Sequence, residues 1–302
     1  MWGRSKNSLD EKLPEVLCVI FSGLQVKYKN STYIIMQKPD FVAKENWVST
    51  QESGTHKQII AVTGKNDRFG SQYSAQMSGL AYARYHALTF RFTEFHGDKD
   101  SAMATSFCGM KSDSDDDTNR DPDIVFKRHC NVSQSRDIRL YFTDRVIAEI
   151  RDMYYGGHDK SAIDIVTCDV ALHIRRGDVG CTDSRIKNPD GTDYMHWKER
   201  FDDNAYYKKA IQFIRETHGE KLQFVIFSQG RNSDFEELLD ENVKTHLNGD
   251  WRQAFHSMVS APILVTSISE FAWTSGLLSK GTVYANKRMF RSPLSSWLHF
   301  DF

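Results

Sequence analysis

Apolar and polar positions along the chain fall into two successive rounds of the same pattern. In the first round, short apolar stretches at 17–21, 33–36 and 58–62 read as strands separated by turns. The run 58–62 (Gln-Ile-Ile-Ala-Val) has the continuous apolar character of a buried strand, and a glycine-bounded loop, Gly64 to Gly70, follows it. Residues 71–87 are rich in Ala, Met, Gln and Tyr and hold no proline, which predicts a helix; 88–95 then reads as a further strand. Strand, loop, helix and strand in that order predict an α/β layer with a parallel sheet. Residues 111–123 are acidic and turn-rich and read as a solvated loop. Residues 142–155 have helical spacing and stop at Gly156-Gly157, which with the polar stretch to Ser161 reads as a linker.

The second round repeats the alternation. Strands are predicted at 169–174, 222–227, 263–265 and 282–284, and helices at 204–217, 235–240 and 271–278. Two consecutive α/β halves predict two Rossmann-like domains, 1–157 and 158–302, facing each other across a cleft, with the last residues returning to the first domain. Ligands are expected at the carboxyl ends of the strands.

Composition narrows the partners. The chain has 302 residues, 40% hydrophobic and 12% aromatic, ample for packed cores, and a net charge of -1 gives no basic field for nucleic acid. Five cysteines at irregular spacing, with no pair two residues apart, predict reduced thiols rather than a zinc site or disulfide framework. The start is polar, and the apolar run 16–21 is too short to span a bilayer, so a soluble, cytoplasmic protein without a membrane span is expected.

The chemistry concentrates where the strand at 169–174 ends, in His173-Ile174-Arg175-Arg176-Gly177-Asp178. Two adjacent arginines leaving a buried strand call for an anion, because a guanidinium stays charged and bonds phosphate oxygens through paired N–H donors. Neighbouring side chains on extended chain point to opposite faces. One arginine is therefore expected to face the anion, and the other to be locked by a carboxylate such as Asp178.

His-x-Arg-Arg-x-Asp at a strand end resembles the first motif of the fucosyltransferase superfamily, which includes alpha-1,2, alpha-1,6 and protein O-fucosyltransferases. Phe227-Ser228-Gln229 resembles that family's strand-end Phe-Ser-Asp, with Gln229 in place of the acid. The segment from Phe255 to Phe271, with its Thr266-Ser267-Ile268-Ser269-Glu270 turn, resembles the last motif, and the Gly64 to Gly70 loop resembles the glycine-asparagine-glutamine loop of several members. The resemblance covers roughly 58–285. It implies two facing Rossmann-like domains (the GT-B arrangement), an inverting mechanism, no metal or other cofactor, and GDP-fucose as donor with a glycan or glycoprotein acceptor. On it, Arg175 bonds the β-phosphate and Arg176 supports the same region. His173, Asp178, Ser228, Gln229 and His256 hold the nucleotide, and Ser267, Ser269, Glu270 and Phe271 form a phosphate cradle at a helix start.

Inversion requires an acceptor for the proton of the attacking hydroxyl. Asp183, just beyond the arginine motif, ranks first for this. Arg68, Phe69, Glu94, His96 and Asp98 are candidates on the acceptor side. Competing readings are a metal-dependent transferase using Asp113-Ser114-Asp115, Asp115-Asp116-Asp117 or Asp121-Pro122-Asp123, a related enzyme using another donor such as UDP-xylose, and a non-catalytic sugar-nucleotide or glycan-binding module.

Overall fold

The computed structural model describes residues 23–28, 31–36, 57–63, 67–96, 101–113, 121–127, 138–157, 160, 163–177, 179, 200–289, 291–300 and 302. They form two α/β units. The first sheet holds β1 (Gly23–Tyr28), β2 (Ser31–Met36), β3 (Ile59–Thr63), β4 (Thr89–Arg91) and β5 (Ile124–Lys127) in the order β1-β2-β5-β3-β4, parallel except for the β1–β2 hairpin. Helices α1 (Phe69–Tyr85), α2 (Ser101–Cys108) and α3 (Asp144–Gly156) accompany it.

The second sheet is wholly parallel. Its strands are β6 (Val170–His173), β7 (Phe224–Ser228), β8 (Val243–Leu247), β9 (Ile263–Val265), β10 (Thr282–Ala285) and β11 (Leu298–His299), in the order β11-β10-β9-β6-β7-β8. Numbered from β6 this is 3-2-1-4-5-6, the order of a Rossmann unit, and it reverses direction between β6 and β9. The crevice beyond the carboxyl ends of those two strands is where such a sheet binds its ligand. Helices α4 (Asn204–His218), α5 (Trp251–Ser260) and α6 (Glu270–Leu278) cover the faces. The result is two α/β units built on mainly parallel sheets, as the alternation in the sequence predicts.

Local sequence explains most of these elements. Helix α4 buries Tyr207, Ala210, Ile211 and Ile214, a stripe at helical spacing, and Asp203 caps it by accepting the Tyr206 N–H at 2.9 Å. Helix α3 does the same with Val146, Ile147, Ile150 and Tyr154. By contrast α1 and α6 are buried almost all round, because α1 lies between β3, β4 and α6, and α6 packs against α1, α3 and α5. One apolar cluster therefore runs through both units, from Ile60 and Tyr73 through Phe255 and Leu264 to Trp273. A second cluster fills the far side of the second sheet, where Val170, Leu172 and Ile174 meet α4.

Several expectations change. The strand expected over 88–95 pairs only at Thr89–Arg91, and 235–240 forms a single 3-10 turn (Glu236–Leu238) rather than a helix. Strands β5 and β8 are additions. The chain end does not return to the first unit: β11 extends the second sheet and Phe300 stacks on Tyr284 with ring centroids 5.0 Å apart. The stretch 17–21 lies outside the described residues. Cys108 and Cys168 are free and buried, and no described helix is long and apolar enough to cross a membrane.

Candidate functional site

Strand β6 delivers its last side chains to the switch between β6 and β9. His173 is buried there, its Nδ1 2.6 Å from Ser267 Oγ and its ring beside Phe271. Burial, reinforced by the neighbouring Arg175 cation, pushes the imidazole down to about 3. His173 is thus neutral near pH 7, a hydrogen-bonding group and a weak proton acceptor. Ser267, expected to cradle phosphate, is fully buried and engaged with this ring.

Beyond His173 the two arginines divide. Arg175 lines a cavity of about 620 Å³ between the units. Arg176 also reaches its wall, but its guanidinium lies over the Phe201 ring, 4.3 Å from the centroid. It donates to Asn204 Oδ1 at 2.8 Å and to the Arg175 carbonyl at 2.9 Å. The expected lock on the second arginine exists, but an amide and an aromatic ring contribute to it; Asp178 lies outside the described residues. Burial lowers the Arg176 pKa, with Asp202, Asp203 and Asp234 opposing the shift. Gly177 then turns the chain with φ +84, and a Cβ there would sit 2.3 Å from Gln229 Oε1, so the turn and the Gln229 side chain share one space.

The rest of that wall comes from neighbouring strand ends. Ser228 Oγ donates to the Ile174 carbonyl at 2.7 Å, tying the exits of β6 and β7 together, and Gln229 stands exposed in the cavity. His246, on β8, and Asn248, just beyond it, extend the wall. Asn248 braces the Gly230 turn through two hydrogen bonds, 3.1 Å from the Gly230 N–H and 2.7 Å to its carbonyl.

Two helix amino termini close the floor. Helix α6 starts at Glu270 with Ser269 as its cap residue, yet the Ser269 side chain makes no capping bond. Its hydroxyl is buried without a hydrogen-bond partner, and Ser269 lines the cavity at 2% exposure. Glu270 Oε1 accepts from buried Arg291, from Nε at 2.8 Å and also from Nη2. Helix α1 starts at Phe69, its cap residue Arg68 makes no side-chain cap, and its first turn carries no acid. The leading N–H groups of a helix lack intrahelical partners and carry partial positive charge, so both starts favour an anion. Among the described residues Arg68, Arg175, Arg176 and Arg200 line the cavity together with two carboxylates, Asp67 and Glu270; Arg291 donates to Glu270.

Other expected site residues fall elsewhere. His256 faces α3, with Nδ1 3.0 Å from the Tyr154 hydroxyl, and does not line the cavity. Burial lowers its pKa, with Lys160 adding to the effect. Glu94 and His96 are exposed on either side of Phe95, and it is Phe95 that is buried and lines the cavity. Phe69, by contrast, does line the cavity, as part of an aromatic cluster 4.5 Å from Trp251 and 5.1 Å from Phe255 between centroids. Asp98 and Asp183 lie outside the described residues. Of the acidic candidates for a metal, Asp113 is engaged by Arg84 and by the Phe90 N–H, and Asp123 accepts the Ile59 N–H at 2.8 Å. Among the described residues no group of three His, Cys, Asp or Glu could hold a metal. Sequence reasoning passed over Asp67, Arg200, His246, Asn248 and Trp251. Only Asp67 had a signal, its place in the loop before α1.

No protein-family model matches the chain, and neither does any curated protein sequence. Among solved structures the chain is similar to a mutant of Arabidopsis thaliana FUT1 in complex with GDP, at 11% identity and a TM-score of 0.42, over 79% of this chain and 73% of that one. It is similar to the E. coli heptosyltransferase WaaC with ADP-2-deoxy-2-fluoro heptose, at 8% identity and a TM-score of 0.40, over 80% of this chain and 92% of that one. The iron-containing dodecameric glycosyltransferase TibC from enterotoxigenic E. coli matches at 8% identity and a TM-score of 0.34, over 76% of this chain and 57% of its own. These likenesses are coarse, and it is the residues of the cleft that bear on function.

Proposed function

We propose that this protein is an inverting, metal-independent glycosyltransferase that binds a nucleotide sugar in the cleft and transfers the sugar to a hydroxyl of a glycan or glycoprotein. One observation carries the reading: Arg175 lines the same cavity as two helix amino termini whose caps make no side-chain bond. When the bond from the sugar C1 to the leaving oxygen breaks, its electron pair moves onto the diphosphate. A fixed guanidinium and helix N–H groups at that oxygen bind the departing anion more strongly than the intact donor, which lowers the barrier. These groups supply the positive charge that a divalent cation brings in other transferases. Arg176 holds the Arg175 carbonyl and so fixes the turn from which Arg175 projects.

GDP-fucose is the first-choice donor on the resemblance of the arginine and serine-turn motifs. Gln229 favours a second choice, because an amide offers guanine one acceptor where a carboxylate offers two; a UDP sugar such as UDP-xylose is that alternative. Thermal shift with GDP, UDP, ADP and their sugar conjugates separates these readings. Stabilisation by GDP and GDP-fucose, with GDP release in the presence of acceptor glycans, supports the proposal. Stabilisation by UDP alone moves the donor, binding without any turnover makes the protein a sugar-nucleotide-binding module, and loss of turnover with a chelator contradicts the metal-free mechanism.

A further inference from the structure

The inversion described above leaves a proton to be removed from the attacking hydroxyl, and His173, buried with Nδ1 against Ser267 and made weakly basic by burial, is poorly placed to take it. Two carboxylates among the described residues line the cleft, Glu270 and Asp67. Glu270 belongs to the second unit at the start of α6, and the buried Arg291 guanidinium holds it. Asp67 belongs to the first unit, across the cleft from the β6 exit, and is exposed so that an incoming acceptor reaches it.

Asp67 is also held in place. Its Oδ1 accepts the Arg68 N–H at 2.7 Å, and its main-chain carbonyl accepts from Gln72 Nε2. The same Gln72 amide donates to the His96 carbonyl at 2.9 Å and accepts the His96 N–H at 2.9 Å. One buried glutamine thus ties the Asp67 turn to the Phe95–His96 wall.

Resting on the transferase reading, we infer that Asp67 is the catalytic base. In this step the acceptor oxygen bonds to the sugar C1 as the C1–oxygen bond to the diphosphate breaks. The electron pair of that bond goes to the β-phosphate oxygen beside Arg175, and the hydroxyl proton goes to the Asp67 carboxylate and then to solvent.

The test compares two nucleophiles with GDP-fucose as donor, following GDP release. Water must lose a proton; azide is already an anion and needs no base. Asp67→Asn keeps the acceptor for the Arg68 N–H, so its fold and GDP affinity serve as internal controls. The inference expects Asp67→Asn to slow GDP-fucose hydrolysis by roughly 100-fold or more, with azide-driven GDP release unchanged. An equal loss with both nucleophiles, or no loss with water, overturns it. So does the azide-sparing pattern appearing in Asp183→Asn and not in Asp67→Asn. A wild-type protein that binds GDP but turns over no nucleotide sugar overturns the transferase reading itself, and the role of Asp67 with it.

Discussion

Gly70, at the start of α1, lies against Phe271, at the start of α6, so closely that a Cβ on Gly70 would fall 2.6 Å from the Phe271 N and Cα. The clash is with backbone, which has no rotamer through which to yield. Gly70→Ala should therefore separate the two helix starts, at a cost of about 1–3 kcal/mol from overpacking. Urea unfolding should show the lost stability, and nucleotide binding should weaken beyond what the lost stability explains.

Arg175 and Arg176 should fail in different ways. Arg175→Ala should lower turnover by about 100-fold to 1,000-fold, the range seen when a transition-state donor is removed, while the melting temperature barely moves. Arg176→Lys should lower stability as well, because an ammonium cannot lie flat on Phe201 while bonding both Asn204 and the Arg175 carbonyl. Thermal melts beside steady-state rates separate the two outcomes.

Acid should destabilise the fold through two histidines, half-buried His86 and buried His173. Burial lowers His86 from 6.5 to about 4, and burial with the Arg175 charge lowers His173 from 6.5 to about 3. The folded chain then binds fewer protons at these sites than the unfolded chain does. Their contribution is full above pH 6.5 and is lost as the pH falls toward the folded values. His86→Gln should flatten the slope of unfolding free energy against pH between 6.5 and about 4. It should leave the slope above pH 7 unchanged.

Asp113 tests the metal question from the other side. Both its oxygens accept from Arg84, at 2.6 and 2.8 Å, and one also accepts the Phe90 N–H at 2.7 Å, while Arg84 reaches on to Glu149 of α3. Asp113→Ala should cost about 1–2 kcal/mol, since the pair is partly exposed. Turnover at saturating donor should be unchanged with or without chelator.

What the sequence revealed, and what it hid, follows from the physics of each element. Strands β6 and β9 and helix α4 announce themselves, because buried parallel strands are continuous apolar runs and α4 carries one apolar stripe. Strand β8 reads Val-Lys-Thr-His-Leu and lies at the sheet edge, so only its pairing with β7 makes it a strand. Strand β5 is four residues long beside an acidic loop, too short for periodicity to register. The arginine motif was legible because charge at the end of a buried strand is costly without a purpose. Ser267 and His256 were placed in the site by order along the chain, which says nothing of facing: Ser267 turns to His173 and His256 to Tyr154. Glu94 and His96 had a usable signal in alternation, since a buried Phe95 between them puts both outside. Asp67 had a local signal in its place before α1, but its position on the cleft depends on a tertiary relationship, the meeting of α1 with α6.

The central claim is that Arg175 and the two helix starts hold the diphosphate of a nucleotide sugar. Calorimetric titration of wild type and Arg175→Ala with GDP and GMP tests it most directly. Wild type should bind GDP much more tightly than GMP, and Arg175→Ala should remove most of that preference while still binding GMP. Equal affinity of wild type for GDP and GMP, or the same preference in both proteins, would contradict it.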